Sequence, residues 1–364
     1  MDGAAGRCAR PGARAVRPLD PAARLSAWVE RLWWRAAPPP AWLGPLSAAY
    51  GWVSARHLAA RDRRAVDPPL PLISVGNITV GGSGKTPFVL ALARALTARG
   101  LRPVILCRGD GGRLTKPMVV TATSDPALAG DEACMMAQAV AAPVVAGRDR
   151  VAGAMLAAQQ GDLLLLDDGL QYRLLRRVAG RSCEIVLIPA AGLGNGALLP
   201  AGPLREPPAA LARADLLVVS GTTTRPDFPW LPEGVPCVPW AAPLAGLRDA
   251  TGLEQEPPRR VALVTGIARP ERVARALAAI GVEVAERHTF PDHHRYRQAE
   301  VAALCRGPLP VATTAKDGVK LRRLWPNDRP LWLAEQRLGL DGALVARVLR
   351  HIGLARDDRT ERTG

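Results

Sequence analysis

An α/β chain built on a parallel sheet flanked by helices, with a second and smaller α/β unit after it, is predicted by three features of the 364-residue sequence. From residue 71 onward, short apolar runs alternate with stretches of helical periodicity, the pattern of parallel strands joined by crossover helices. A glycine-rich turn stands between the first such run and the first such helix. A proline-rich stretch from Pro226 to Pro258 interrupts the rhythm, and the alternation then resumes. At about 150 residues per domain the length suits two units, and a hydrophobic share of 48% gives each a core.

In chain order, residues 1–25 read as an unstructured basic extension. It is Arg-rich but lacks the apolar core and small-residue cleavage site of a secretory signal. Residues 26–66 read as an amphipathic helical segment holding Trp28, Trp33, Trp34, Trp42 and Trp52, five of the nine tryptophans. Leu46, Tyr50 and Val53 recur there at helical spacing, and Arg56, Arg61, Arg63 and Arg64 follow. Rings at headgroup depth beside cationic side chains suit a membrane surface. A helix packed on the protein's own core accounts for the pattern as well. No uninterrupted apolar run reaches the roughly 18 residues of a spanning helix.

Residues 67–240 carry strand-like runs at Leu72–Val75, Pro103–Cys107, Pro143–Ala146, Asp162–Leu166, Glu184–Ile188 and Leu216–Ser220, with helices near 85–99, 131–140 and 147–159. Residues 241–258 read as a linker. Residues 259–353 form the smaller unit, with strands at Val261–Thr265, Val282–Glu286, Val311–Thr313 and Leu331–Ala334 and helices near 270–280, 297–305, 316–324 and 340–351. Residues 354–364 read as an unstructured tail.

The formal net charge of +15 favours an anionic partner: nucleic acid, an acidic membrane face or a phosphorylated substrate. An Arg-rich solvated surface explains the charge equally well. The six cysteines are scattered without a C-x-x-C pair, which argues against a zinc ribbon or a redox couple and suits a reducing, cytoplasmic compartment.

The turn Thr79-Val80-Gly81-Gly82-Ser83-Gly84-Lys85-Thr86 follows a strand and opens a helix, the setting of a phosphate-binding loop. Glycines let successive N–H groups and the helix N-terminus point at phosphate oxygens. Lys85 would then reach the β- and γ-phosphates of a nucleoside triphosphate, and the Thr86 hydroxyl would ligate Mg²⁺. Thr79 stands where the pattern has its first glycine. Asp167-Asp168-Gly169 closes an apolar run as the metal-holding carboxylate at a strand tip does, although the same three residues also make a turn. Thr314-Ala315-Lys316-Asp317 is not the Asn-Lys-x-Asp base-reading element usual in GTPases of this architecture.

Further motifs stand in order: SVGNITVGGSGKTP (74–87), CRGDGGR (107–113), GDE (130–132), LLLDDGLQ (164–171), GNGALLPAGPLRE (194–206), FPDHH (290–294) and TTAKDGVKL (313–321). From about Pro45 to about Leu340 the series resembles the tetraacyldisaccharide 4′-kinase family. The resemblance implies a P-loop NTPase-type sheet with a second smaller domain, and a loop that lacks the first glycine, as Thr79 does. It implies ATP and Mg²⁺, with the metal held by Thr86 and one of Asp167 and Asp168. The implied reaction moves the γ-phosphate to the 4′-hydroxyl of a tetraacylated glucosamine disaccharide 1-phosphate, the lipid A precursor. The implied place is the cytoplasmic face of the inner membrane, peripheral or anchored by an N-terminal helix, with no nucleic acid as partner.

Proton removal falls, by the same resemblance, to Asp131 paired with His293, the first histidine of its run. Glu132, Arg205 and Glu206 would line the cleft. Taken alone, Asp131-Glu132 also reads as two acids at a helix N-terminus, and His288, Asp292, His293 and His294 match no common zinc-ligand spacing. Asp131 and His293 fall in different units, so the pair would assemble only when the two close. Departures from the family pattern are Asp110 in CRGDG where it reads Ser-Arg-Gly-Tyr-Gly, Tyr172 in DDGLQY where it reads DDGFQH, and Ala315 for the Glu of TEKD. The rival reading is a membrane-associated P-loop ATPase that regulates a protein partner. It would hydrolyse ATP without a lipid acceptor and would have no use for a histidine from a second unit.

Overall fold

The computed structural model describes residues 21–354 apart from 36, 254 and 268. The expected extension lies outside the described residues as far as 20, and so does the tail from 355. Residues 21–25, expected to be unstructured, already belong to a helix, α1 (Pro21–Trp33), and α2 (Gly44–Arg63) follows it.

Next come β1 (Leu72–Asn77), α3 (Lys85–Thr97), β2 (Pro103–Cys107), β3 (Met118–Val120), α4 (Pro126–Ala129), α5 (Asp131–Ala139), β4 (Val144–Ala146), α6 (Arg150–Ala157), β5 (Leu163–Asp167), β6 (Ser182–Pro189), β7 (Leu216–Ser220) and β8 (Cys237–Trp240). Their eight strands lie in the order β3-β4-β2-β5-β1-β6-β7-β8, all parallel except β3. The inner strands β1, β2, β5, β6 and β7 are buried along their whole length, as in a sheet covered on both faces. β1 sits between β5 and β6, with Val75 opposite Asp167. The glycine-rich turn after β1 and the two acids at the end of β5 therefore share one crevice at the carboxyl ends of adjacent strands.

The remaining elements are β9 (Leu244–Asp249), β10 (Arg260–Thr265), α7 (Pro270–Ala279), β11 (Glu283–Thr289), α8 (Gln298–Cys305), β12 (Val311–Thr314), α9 (Ala315–Leu321), β13 (Leu331–Gln336) and α10 (Gly342–His351). The second sheet runs β11-β10-β12-β13-β9, with only β9 antiparallel.

Two expectations about organisation are corrected. The stretch 241–258 is not a bare linker: β9 lies inside it as an edge strand of the second sheet, just after β8 has closed the edge of the first. Edge strands tolerate proline because one side of their backbone is unpaired, which is why a proline-rich composition, including Pro239 within β8, concealed them. The helix expected near 340–351 does not belong to the smaller unit's core. Val345, Val348 and Leu349 of α10 are buried in the cluster that also holds Phe88, Leu92 and Ile185 of the large sheet's layer.

Helix α2 turns most of its large apolar side chains outward, as the membrane-surface alternative requires and the core-packed one does not. It adheres to the protein through polar groups: Ser47 Oγ donates to the Leu198 carbonyl (3.0 Å), the Tyr50 hydroxyl to the Arg205 carbonyl (3.3 Å) and Arg61 to the Gln171 carbonyl (3.0 Å). Leu46, Trp52 and Val53 face outward. Gly51 lets the two approach closely: a Cβ there would lie 2.8 Å from Leu198 Cδ1, which would have to move aside. Helix α1 completes the embrace, with Trp33 Nε1 donating to the Pro200 carbonyl (2.9 Å). The segment 194–206 is thus gripped by both leading helices.

Beneath β1, Glu184 is buried and accepts from Ser74 Oγ (2.7 Å) and Arg177 Nε (2.6 Å). Arg177 Nη2 donates back to Ser74 Oγ (2.8 Å). Arg177→Ala would leave that carboxylate uncompensated, so we expect a loss of about 3 kcal/mol in urea unfolding. Glu184→Gln with Arg177→Met should recover much of it.

Candidate active site

The loop after β1 is held from below by Asn77. This buried side chain donates to the Thr79 carbonyl (2.6 Å) and Ser83 Oγ (2.9 Å), and its Oδ1 accepts from Lys85 Nζ (2.8 Å). Ser220 Oγ at the end of β7 donates to the Ser83 carbonyl (2.5 Å). Gly81 and Gly84 have φ of +101° and +79°, the left-handed region where glycine is at no disadvantage. Thr79 instead pairs with Leu204 as an antiparallel bridge, and Val80 N donates to the Pro203 carbonyl (2.7 Å). That pairing explains why glycine's freedom is not required at position 79. Helix α3 begins at Lys85, so its first-turn N–H groups open into the crevice as an anion site.

The two acids at the end of β5, Asp167 as its last residue and Asp168 just beyond, are in different states. Asp168, with φ +51°, pairs with Lys85 Nζ (3.2 Å) and Arg205 Nη1 (3.1 Å). Burial raises its pKa, but Lys85, Arg205 and Arg150 outweigh burial and hold it well below the carboxylate range. Asp167 is buried, and its Oδ1 has no hydrogen-bond partner. Burial pushes its pKa up to about 7, with Lys85 opposing and the charges of Asp168 and Glu132 adding. Glu206 is buried as well and joins the crevice through Gln171 Nε2 (3.0 Å) and Arg213 (2.7 Å). Gln171 Nε2 also donates to the Asn77 carbonyl (3.1 Å), tying the segment ending in Glu206 to the loop.

Asp131 and His293 are brought together from the two sheets. Nδ1 of His293 lies 3.1 Å and 3.2 Å from the two carboxylate oxygens of Asp131, which is buried at the start of α5. His293 adopts a left-handed φ of +58°, uncommon outside glycine, and its N–H donates to Asp292 Oδ1 (3.0 Å). Gly111 packs beside the pair: a Cβ there would lie 3.4 Å from His293 Nδ1 and 3.6 Å from Asp131 Oδ1.

Two lysines from α9 flank the pair. Lys316 Nζ is 3.2 Å from each of His293 Nε2, Glu132 Oε1 and Asp292 Oδ1. Lys320 Nζ is 3.4 Å from Asp131 Oδ2 and 3.2 Å from Asp317 Oδ1. Burial works against the charge on Lys316, but Glu132, Asp131 and Asp292 together hold its pKa above normal. An ammonium only donates, so Nε2 of His293 accepts and Nδ1 carries the proton that bonds Asp131. The bond to Asp131 raises the His293 pKa. Asp131 is lowered: burial opposes, but the His293 bond, Lys316 and Lys320 prevail.

Of the residues singled out from the sequence, Lys85, Asp168 and Arg205 are joined by ion pairs, with Glu206 tied in through Gln171, and Asp131, Glu132 and His293 form a second group linked by Lys316. Asn77, Gln171, Lys316 and Lys320 were not singled out, although each lies inside a motif already noted. Lys316 and Lys320 stand four apart on a helical stretch, which puts both on one face.

A family model described as Tetraacyldisaccharide-1-P 4′-kinase matches residues 40–353. Among curated relatives, a tetraacyldisaccharide 4′-kinase of Chromobacterium violaceum is 43% identical, covering 81% of this chain and 88% of its own. That of Halorhodospira halophila is 43% identical over 84% of this chain and 90% of its own. Among solved structures, the crystal structure of LpxK from Aquifex aeolicus in complex with ATP aligns with a TM-score of 0.71 and 29% identity, over 85% of this chain and 98% of that one.

Proposed function

The chain belongs to the tetraacyldisaccharide-1-P 4′-kinase family, and on that footing we propose that it transfers the γ-phosphoryl group of ATP to the 4′-hydroxyl of a tetraacylated glucosamine disaccharide 1-phosphate, the lipid A precursor. The observation that carries this over the ATPase reading is the Asp131–His293 contact across the two sheets. Water needs no such pair built from two units, whereas a sugar hydroxyl must be oriented and deprotonated.

Mg²⁺ fits the residues present. A buried carboxylate oxygen without a partner and a carboxyl pKa raised to about 7 are what a site for a hard cation shows before loading. Asp167 and the Thr86 hydroxyl would hold the ion, while Asp168, already engaged by Lys85 and Arg205, orients those cations. When bound, Mg²⁺ neutralises charge on the β- and γ-phosphate oxygens.

The chain's own groups do the rest. Asp131 accepts from His293 Nδ1 and from the Glu132 N–H (3.0 Å), and forms an ion pair with Lys320 Nζ at 3.4 Å. A carboxylate has roughly four lone-pair positions, so these two donors leave room for the acceptor hydroxyl. The 4′-oxygen attacks the γ-phosphorus as its proton passes to Asp131, the bond from phosphorus to the β–γ bridging oxygen breaks, and ADP departs beside Lys85. A weak base suffices because the loose transition state of phosphoryl transfer demands little of the nucleophile. The test is ADP release by the purified full chain with ATP and Mg²⁺. Release that depends on the disaccharide 1-phosphate supports the kinase, and equal release without it favours the ATPase.

The acceptor's acyl chains call for a membrane surface. No helix among the described residues is long and apolar enough to cross a bilayer. Trp42 and Trp52 are 65% and 63% exposed, with Arg56 stacked 4.9 Å from the Trp52 ring centroid. Such rings and cations suit the headgroup region of the cytoplasmic leaflet of the inner membrane. Trp42→Ala with Trp52→Ala should lower partition into anionic vesicles at least tenfold in sedimentation assays, leaving thermal stability unchanged. Unaltered partition would refute this surface.

A further inference from the structure

Two arginines outside every motif of the sequence reach the glycine-rich loop from the second unit. Arg272, in the first turn of α7, donates from Nη1 to the Gly82 carbonyl (2.8 Å). Arg269, just before α7, places Nη2 3.4 Å from where a Cβ on Gly81 would stand. Arg269 is anchored on its far side by the first helix and the residue after it: Nε lies 3.2 Å from Glu30 Oε1, and the guanidinium sits 4.5 Å from the centroid of the Trp34 ring. Arg272 has no carboxylate partner among the described residues. Burial, and then the charges of Arg269 and Arg275, lower its pKa. Two guanidinium groups thus crowd the rim of an anion-binding loop with a single half-exposed glutamate, on the far side of Arg269, to offset them, an excess of positive charge that a polyphosphate would relieve.

We propose that Arg269 and Arg272 are phosphate-binding residues which the second unit supplies to the terminal phosphates of the nucleotide, with Glu30 as the carboxylate that holds Arg269 until the triphosphate displaces it. The proposal rests on the loop's being a triphosphate site. It also makes the first helix part of the nucleotide site. A triphosphate outcompetes Glu30 because it offers several charged oxygens in bidentate reach of a guanidinium, against one carboxylate open to solvent.

The test is calorimetric binding of Mg·ATP and of AMP to the full chain and to Arg269→Ala, Arg272→Ala, Arg272→Lys and Glu30→Gln. Each alanine variant should weaken ATP about tenfold and AMP less than twofold, Arg272→Lys should recover part of the loss, and Glu30→Gln should tighten ATP severalfold at low salt. Melting temperatures without nucleotide should stay within about a degree of the parent. ATP affinity within twofold of the parent in both alanine variants would overturn the proposal, as would equal losses for ATP and AMP, which mark a structural role. A raised KM for the lipid acceptor with ATP affinity unmoved would overturn it too, assigning the arginines to the acceptor's phosphate. A parent that binds ATP but labels no lipid would refute the kinase reading alone, because the affinity ratios remain readable. A parent that binds no ATP would refute both.

Discussion

Lys85→Ala should lower kcat about 10³-fold while leaving the fold intact. Nζ of Lys85 is the cation at the centre of the crevice, drawn between Asn77 Oδ1 at 2.8 Å and Asp168 Oδ1 at 3.2 Å. Its charge is also the leading force that holds the pKa of Asp168 down and opposes the rise that burial imposes on Asp167. Fixed positive charge of this kind, aimed at oxygens whose charge changes in the transition state, typically contributes a factor of 10²–10³ for a single donor. A lysine at the β- and γ-phosphates acts on both leaving and transferring groups, which favours the upper end. The fold should survive because Asp168 keeps Arg205 at 3.1 Å, while the loss of the donor to the buried Asn77 Oδ1 costs about 1–3 kcal/mol. Single-turnover transfer and a thermal melt, run on the same preparation, check both halves. A kcat within tenfold of the parent would remove the loop from the chemistry.

Asp131→Asn should cost about 10²–10⁴ in kcat, the usual range for a positioned base, and His293→Ala somewhat less, with little change in ATP affinity for either. Because the two share one hydrogen bond at 3.1 Å, the double variant should lose less than the two single losses combined. Additive losses would argue against a joint role. The pH profile carries a second signature. The active form needs a neutral imidazole, since an imidazolium would hold Asp131 as a tight ion pair and drive Nε2–H against Lys316. The bond to Asp131 raises the His293 pKa, so the acid limb of the rate profile should sit above that of an ordinary histidine. Lys316 acts the other way and lowers it. Lys316→Met should therefore move the acid limb to higher pH, and a purely structural role for Lys316 would leave that limb in place.

Much of the site was legible in the chain because its chemistry is local in sequence. The loop, the acid pair at the end of β5 and the GDE at the head of α5 each sit at the junction of a strand or turn with its next element, where periodicity changes. The buried runs of β1, β2, β5, β6 and β7 were equally plain, since burial on both faces removes the polar alternation. What composition concealed were elements that break those rules. β8 and β9 are edge strands in a proline-rich stretch, and α10 returns from the end of the chain to pack on the first sheet's core. Helix α2 turns Leu46, Trp52 and Val53 away from the protein, while Leu58 is buried and serine, tyrosine and arginine hold the helix down, so the membrane-facing alternative fits better than the core-packed one. Arg269 and Arg272 carry no local signal whatever. Their position beside Gly81 and Gly82 depends on how the second unit meets the first, which spacing along the chain does not encode.

The most direct measurement is incubation of the full chain with γ-labelled ATP, Mg²⁺ and the tetraacylated disaccharide 1-phosphate in mixed micelles, followed by phosphorus–proton correlation on the extracted lipid. A kinase built on the Asp131–His293 pair yields one new phosphomonoester coupled to the proton at the 4′ carbon, and the signal is lost in Asp131→Asn. Label released only as inorganic phosphate, or product formation undiminished in Asp131→Asn, would contradict it.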